Sequence, residues 1–478
     1  MTRKLFIRFT AAMVLFALIL GGCSTKSNNH ADTATNTSSS TPAASNTDTA
    51  TATASATPAS GDPVTIRFYL QDGEISEDQI AAFNAAHPNI NLMRVDTDFN
   101  KLIAQISANS ATMPDLIRVN ANEFPFYAAR NLALNLQPYF DASTVFKKDD
   151  LLDIIDMFRW DGKNQGTGDL YGIVKDWQPE MDMYINKKLF AEAGIPLPDD
   201  KTAMTWDQLA DYAKKLTKKD GDKVIQWGFT DPFVGGVLIS QAKLQYMLAS
   251  SGQQLYSDDY STILLDSPEA KQYLQYWIDL AKAEAGPSML YPEANSFIEL
   301  FTQDKLAMMV AGYWFGGVLR STDSTKDHLD DYMLLPAPKV AGGTAIEASQ
   351  VGTGAIINSR TRHPDEAWTV FEWFFGGQPA EDRAASGWGL PVTQSMMSLL
   401  PTATNFDKQT YGVVMDSISH LSTIKNNPYI STMAIDAVLN KYFTPVYFDQ
   451  DTLDGAIEKS KKEIEIQIRE NKDIVGAE

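Results

Sequence analysis

The sequence predicts an α/β protein built as two lobes, each a mostly parallel sheet flanked by helices. Three observations lead there. The chain is 44% hydrophobic and 10% aromatic, which is globular composition with ample material for packed cores. The body from about Val64 to Ile474 is longer than the ~250–300 residues at which one core usually divides. Along it, short β-branched or aromatic runs alternate with segments of helical periodicity, the order that builds sheets covered by helices.

The first 22 residues stand apart from this body. Arg3, Lys4 and Arg8 precede an apolar run from Ala11 to Leu20, the layout of a secretory signal. That run is about half the ~20 residues a spanning helix needs. The chain's single cysteine follows in Leu20-Gly21-Gly22-Cys23, a stretch that resembles the bacterial lipobox, whose cysteine is acylated. A lone cysteine has no internal disulfide to form. The expectation is export and a lipid anchor at Cys23; the alternative is an ordinary cleaved signal with an incidental cysteine. Residues 23–62 then read as a tether. The 39 positions after the cysteine hold Ser, Thr, Ala, Asn, Asp and Pro almost throughout, with no Val, Ile, Leu, Met or aromatic residue. Such a stretch cannot offset its conformational entropy by burial.

In the body, Val64–Leu70 reads as a strand. Glu77–Ala86 carries Ile80, Ala81, Phe83 and Asn84 at helical spacing and stops at His87-Pro88. Ile90–Val95 returns to strand, Lys101–Ala108 to helix, and Asp115–Val119 to strand. A second series starts at Met181–Ile185 and continues through the helix Lys187–Gly194. Gly194 suits a helix end because it tolerates positive φ. Thr205 fits an N-cap with Gln208 three residues on. Val224–Phe229 is a further strand, Pro268–Ala285 a long amphipathic helix, and Asp454–Ile474 a closing one.

Several of these segments carry a family likeness. Tyr184-Ile185-Asn186-Lys187-Lys188-Leu189-Phe190-Ala191-Glu192-Ala193-Gly194-Ile195 is followed by Thr205-Trp206-Asp207-Gln208-Leu209 and Ala213-Lys214-Lys215-Leu216-Thr217. Then come Phe301–Met309, Gly312-Tyr313-Trp314, Gly352-Thr353-Gly354, His363–Trp368 and Gly389-Leu390-Pro391-Val392. In this order the set resembles the extracellular solute-binding proteins of ABC importers, in particular the branch that takes sugars and oligosaccharides. The resemblance implies a periplasmic-binding-protein-like fold with a hinge between lobes. Lobe one would be residues 63–175 and 350–392, lobe two residues 176–349 and 393–478. It also implies a monomer on the outer face of the bacterial membrane, presenting a small carbohydrate to a permease.

A sugar presents hydroxyls to polar side chains and flat C–H faces to rings, so a sugar site pairs stacking aromatics with Asp, Glu, Asn or Gln. Trp314 stands where similar proteins place a stacking aromatic, and Asp231-Pro232-Phe233 matches a family segment of acid, proline and ring. Tyr69 and Gln71 leave the first strand, and Asn122, Glu123 and Phe124 the third, at the ends where open α/β sheets bind ligands. Asp176 and Trp177 lie at the first crossover, and Trp388 precedes the second. Where many relatives carry a ring after a late proline, this chain reads Asn427-Pro428-Tyr429-Ile430-Ser431-Thr432-Met433-Ala434, so Tyr429 would substitute from the loop. Trp206, Trp368, Trp373 and Phe374 sit among apolar neighbours and are read as core.

Other function classes find little support. Removing the signal's three bases takes the net charge from −20 to −23, which disfavours nucleic acid. The five histidines (30, 87, 328, 363 and 420) are scattered, so no metal is expected. Gly352-x-Gly354 lacks the third glycine of a dinucleotide fingerprint, and no phosphate loop or nucleophile elbow is present. No cofactor is expected. The alternatives are a secreted glycoside-processing enzyme, which would need two carboxyls about 5–10 Å apart, or a binding protein for a polyol or peptide.

Overall fold

The structure, a computed structural model, describes residues 62–96, 102, 105, 113–231, 236–347, 352–422 and 424–477. The signal, the tether with Cys23, most of the expected helix Lys101–Ala108, and Phe233 lie outside them. The described residues belong to one compact unit, Gly61–Glu478.

In chain order the strands are β1 (Val64–Tyr69), β2 (Ile90–Val95), β3 (Leu116–Asn120), β4 (Arg159–Trp160), β5 (Asp169–Leu170), β6 (Gly172–Asp176), β7 (Met183–Asn186), β8 (Lys218–Asp220), β9 (Lys223–Thr230), β10 (Leu306–Val310), β11 (Tyr332–Leu335) and β12 (Thr353–Ile357). Two five-stranded sheets organise the two lobes, in the orders β2-β1-β3-β12-β6 and β11-β7-β10-β9-β8. The chain leaves the first sheet after Asp176, enters the second at Met183, and returns between Leu335 and Thr353.

The two-lobe α/β architecture is the expected one, but the strand directions are more mixed than a mostly parallel sheet. β2, β1 and β3 run parallel, whereas β12 is antiparallel to both β3 and β6. In the second sheet only β9 and β10 are parallel. The reason is topological. A βαβ unit returns its strand parallel, whereas β12 arrives from the other lobe and can enter from the opposite end. β8 and β9 form a simple hairpin, which is antiparallel by necessity.

Local chemistry starts the helices where expected. Ser76 and Gln79 form a reciprocal capping box at Glu77–Ala86, and Thr205 and Gln208 form another at Trp206–Leu216. Each such cap contributes about 1 kcal/mol. Asn186 accepts from the Leu189 N–H, and Gly194 has φ 67° beyond the helix Lys187–Glu192.

Each sheet packs helices through large rings. Phe68 of β1 meets Phe374 of the helix Pro364–Gly376 edge-on at 5.2 Å. In the second lobe, Trp206 meets Trp277 of Pro268–Lys282 at 5.4 Å. Trp206 and Phe374 are thus buried core, as read from the sequence; Trp368 and Trp373 are half-buried.

Candidate functional site

The order β2-β1-β3 makes the β1/β3 boundary a switch point, where connections leave in opposite directions and a crevice opens beyond the strand ends. A cavity of about 760 Å³ opens there. Gln71 and Glu74 reach it from the loop after β1, Arg118 from β3, Lys175 and Asp176 from the end of β6, and Thr353 from β12. Gln178 and Glu180 of the first crossover lie along it. Trp314, beyond β10 of the second sheet, and Trp388 complete the wall.

One side is a tight charge network. Arg118 Nε donates to both Glu74 carboxylate oxygens at 3.0 Å, while its other nitrogens reach Asn120 Oδ1 at 3.1 Å and Thr353 Oγ1 at 3.2 Å. Lys175 Nζ pairs with Glu74 at 3.1 Å and Asp176 at 2.5 Å. Burial pushes the Glu74 carboxyl up, but Lys175 and Arg118 together outweigh it and hold it below its ordinary range. These side chains are therefore pre-set, and a polar ligand meets fixed donors and acceptors without first ordering them.

The facing side is aromatic. The Trp314 and Trp388 rings lie 6.2 Å apart at 23°, too close to admit a sugar ring between them, so they form one continuous surface. Trp388 is 42% exposed, a high value for so large an apolar ring. The Trp314 backbone is pinned by its N–H donating to Gln178 Oε1 at 3.0 Å.

The family model described as bacterial extracellular solute-binding protein matches residues 69–378, about two thirds of the chain. The chain belongs to this family. Among solved structures, this solute-binding protein is similar to an ABC substrate-binding protein from Listeria monocytogenes in complex with cycloalternan: 20% identity, TM-score 0.69, covering 87% of this chain and 100% of that one. An ABC transporter solute-binding protein from Agrobacterium vitis with bound D-mannitol gives 20% identity and TM-score 0.66 over 87% and 99% of the two chains. The ABC transporter associated binding protein from B. animalis subsp. lactis in complex with β-1,6-galactobiose gives 17% and 0.66 over 85% and 98%. No curated protein matches the chain.

Of the residues singled out in sequence, the cavity of the solute-binding protein brings together Gln71, Asp176, Trp314 and Trp388. A second, buried group does not line the cavity. Glu123 Oε1 accepts from Met433 N at 3.4 Å, and burial pushes its carboxyl up to about 7, with Asp436 nearby. Asp436 accepts from Gln241 N, and Lys243 pairs with Asp231 at 3.3 Å while lying 4.0 Å over the Trp277 ring. Asn122 and Glu123 each keep one buried side-chain oxygen with no partner among the described residues.

The remaining candidates lie elsewhere. Phe124 is fully buried against Phe158, with centroids 5.1 Å apart. Trp177 is buried and donates its indole N–H to Pro391 O at 2.8 Å, tying the first crossover to the chain after Trp388. Tyr429 is buried in the second lobe's core, and Tyr69 is half-buried at the end of β1.

Sequence reasoning missed Glu74, Arg118, Lys175, Gln178, Glu180 and Arg383. Two had a signal: Arg118 interrupts the apolar run Leu116–Val119, and Lys175 ends the run Ile173-Val174. Arg383 had none. It comes from the helix Gln378–Ser386, donates to Phe374 O at 2.9 Å, and burial lowers its pKa to about 10. Among the described residues, no group of three or more His, Cys, Asp or Glu could hold a metal ion.

Proposed function

We propose that this solute-binding protein captures a carbohydrate between its two lobes and hands it to an ABC permease without chemical turnover. The observation that carries this reading is the pairing of the Trp314–Trp388 surface with the fixed polar wall of Glu74, Arg118, Lys175 and Asp176. Aromatic area takes a sugar's C–H face, and fixed donors and acceptors take its hydroxyls. Gln71 adds an amide. Tyr69, Asn122, Glu123 and Asp231 are assigned to a second contact zone toward the other lobe. The chemistry named with the solved relatives, an oligosaccharide, a disaccharide and a sugar alcohol, supports a polyhydroxylated solute.

The lobes are taken as residues 63–175 with 350–392, and 176–349 with 393–478. Ligand touching both shifts the open–closed equilibrium by its differential affinity for the closed form. The protein acts as a monomer, held at the outer membrane face by acylated Cys23.

The test is a thermal-shift screen with cycloalternan, β-1,6-galactobiose, mannobiose, D-mannitol, D-tagatose, peptides and amino acids. A ligand at ~100 times its Kd adds about 2.7 kcal/mol to stability. A shift with a saccharide and no product after incubation is expected. A shift with peptides alone, or saccharide turnover, overturns the reading.

A further inference from the structure

The charge pairing of the cavity wall does not extend to its floor. Glu180, on the first crossover, is 4% exposed and lines the cavity. Its one hydrogen-bond neighbour among the described residues is the Gln178 side-chain amide, with Nε2 3.5 Å from Oε2, at the outer limit of a hydrogen bond. The orientation of that amide is decided at its other end, where Oε1 accepts from Trp314 N. The amide also needs Gly312, since a Cβ there would lie 2.4 Å from Gln178 Cγ.

No cation pairs with Glu180 among the described residues. Lys175 is held by Glu74 and Asp176. Arg383 lines the same cavity but spends Nη2 on Phe374 O. The charges that do face Glu180 are Asp176 at the end of β6 and Asp182 at the start of β7, both acidic. Behind Asp182 stands Glu347, and the two share the Ala337 N–H. A carboxylate at Glu180 would thus be desolvated, unpaired and beside other acids, a costly arrangement that keeping the proton avoids. Burial, with smaller contributions from Asp176 and Asp182, outweighs the Gln178 hydrogen bond and pushes Glu180 up to about 8.

We infer that Glu180 serves the cavity as a neutral carboxyl whose O–H is donated to a ring, glycosidic or hydroxyl oxygen of the bound saccharide. Capture is then linked to a proton the protein must hold. This inference rests on the carbohydrate reading above and adds to it a donor that sequence, seeing only an acid, would assign as an acceptor. Ionisation does more than remove the hydrogen bond, because it sets a negative charge against the ligand's lone pairs.

The experiment is calorimetric titration of the full protein, from pH 6.5 to 9, with whichever of mannobiose and β-1,6-galactobiose stabilises it more. Glu180→Gln is measured alongside, because its amide donates at every pH. The competent fraction falls by about tenfold between these limits, and apparent affinity falls with it. The expected result is about tenfold weaker binding by the wild type at pH 9 and a flat profile for Glu180→Gln. Carbon-13 spectra of protein labelled at the Glu carboxyls should show two resonances titrating near 8, from Glu180 and Glu347, of which Glu180→Gln loses one and keeps the other, a readout that needs no ligand. A saccharide that binds with no pH slope, or with the same slope in Glu180→Gln, overturns the inference alone. No saccharide response at any pH overturns the carbohydrate reading and this inference together.

Discussion

The wall of the cavity and the acid pair behind its floor both take carboxyls largely out of water and leave them in opposite states. On the wall, Glu74 has Arg118 and Lys175 within ion-pair distance and stays ionised. Behind the floor, Asp182 and Glu347 share one backbone N–H, and among the described residues they have no cation and each leave one oxygen without a partner. Burial pushes both upward, Glu347 to about 8. Burial alone therefore does not determine charge; the partner does. The wall presents fixed charges to a ligand, while the acids of the crossovers hold protons that can leave.

The sharpest break in this contrast is removal of one wall partner. Glu74→Ala leaves Lys175 and Arg118 short of their shared carboxylate and should cost about 3–5 kcal/mol, read by denaturant unfolding. Asp182→Asn, at a still more deeply buried position, should cost far less and gain ground on the wild type as pH rises from 4.5 to about 8, because its amide can donate to Glu347.

Intermediate in size is Gly312→Ala. Its Cβ drives into Gln178 and should break the Trp314 N–H bond, at about 1–3 kcal/mol of overpacking. Thermal unfolding reads the stability loss, and saccharide titration reads the displaced Trp314.

The pH dependence separates the two regions by sign. Glu180 and Glu347 rise from 4.5 to about 8 on folding. Each holds a proton that the unfolded chain has lost, so stability should fall as pH rises through that window. Glu74 is lowered, so its contribution is present above its unfolded value and is lost on acidification. Melting scans from pH 5 to 9 should show the alkaline decline, flattened in Asp182→Asn. A decline unchanged in that variant would place its source elsewhere.

The smallest expected effect is Thr205→Ala, a loss of about 1 kcal/mol from the cap of Trp206–Leu216 with saccharide affinity unchanged.

Much of the fold was legible because its elements carry local signals: the stop at His87-Pro88, the cap at Thr205, the glycine after Glu192–Ala193, and the apolar strands β1 and β3. Strand direction was not, because β12 pairs across a crossover that no local pattern records. The site divided along the same line. Trp314, Trp388, Gln71 and Asp176 sit at strand ends or crossovers, where topology points at a crevice. Arg383 and Glu180 face the cavity only because Gly312, Gln178 and a distant helix place them there. Phe124 and Trp177 follow strand ends as the others do, yet their side chains turn into the core, a choice set by packing against Phe158 and Pro391.

The central claim is that the cavity between the lobes is a saccharide site built on its tryptophan pair. The most direct test is calorimetric titration of wild type, Trp314→Ala and Trp388→Ala with the saccharide that most raises the melting temperature. Loss of one ring should weaken binding by about tenfold. For Trp388→Ala the fold should be nearly unaffected, since that ring is 42% exposed. Saccharide binding that is equally tight in both variants would contradict the account and move the site away from this cavity.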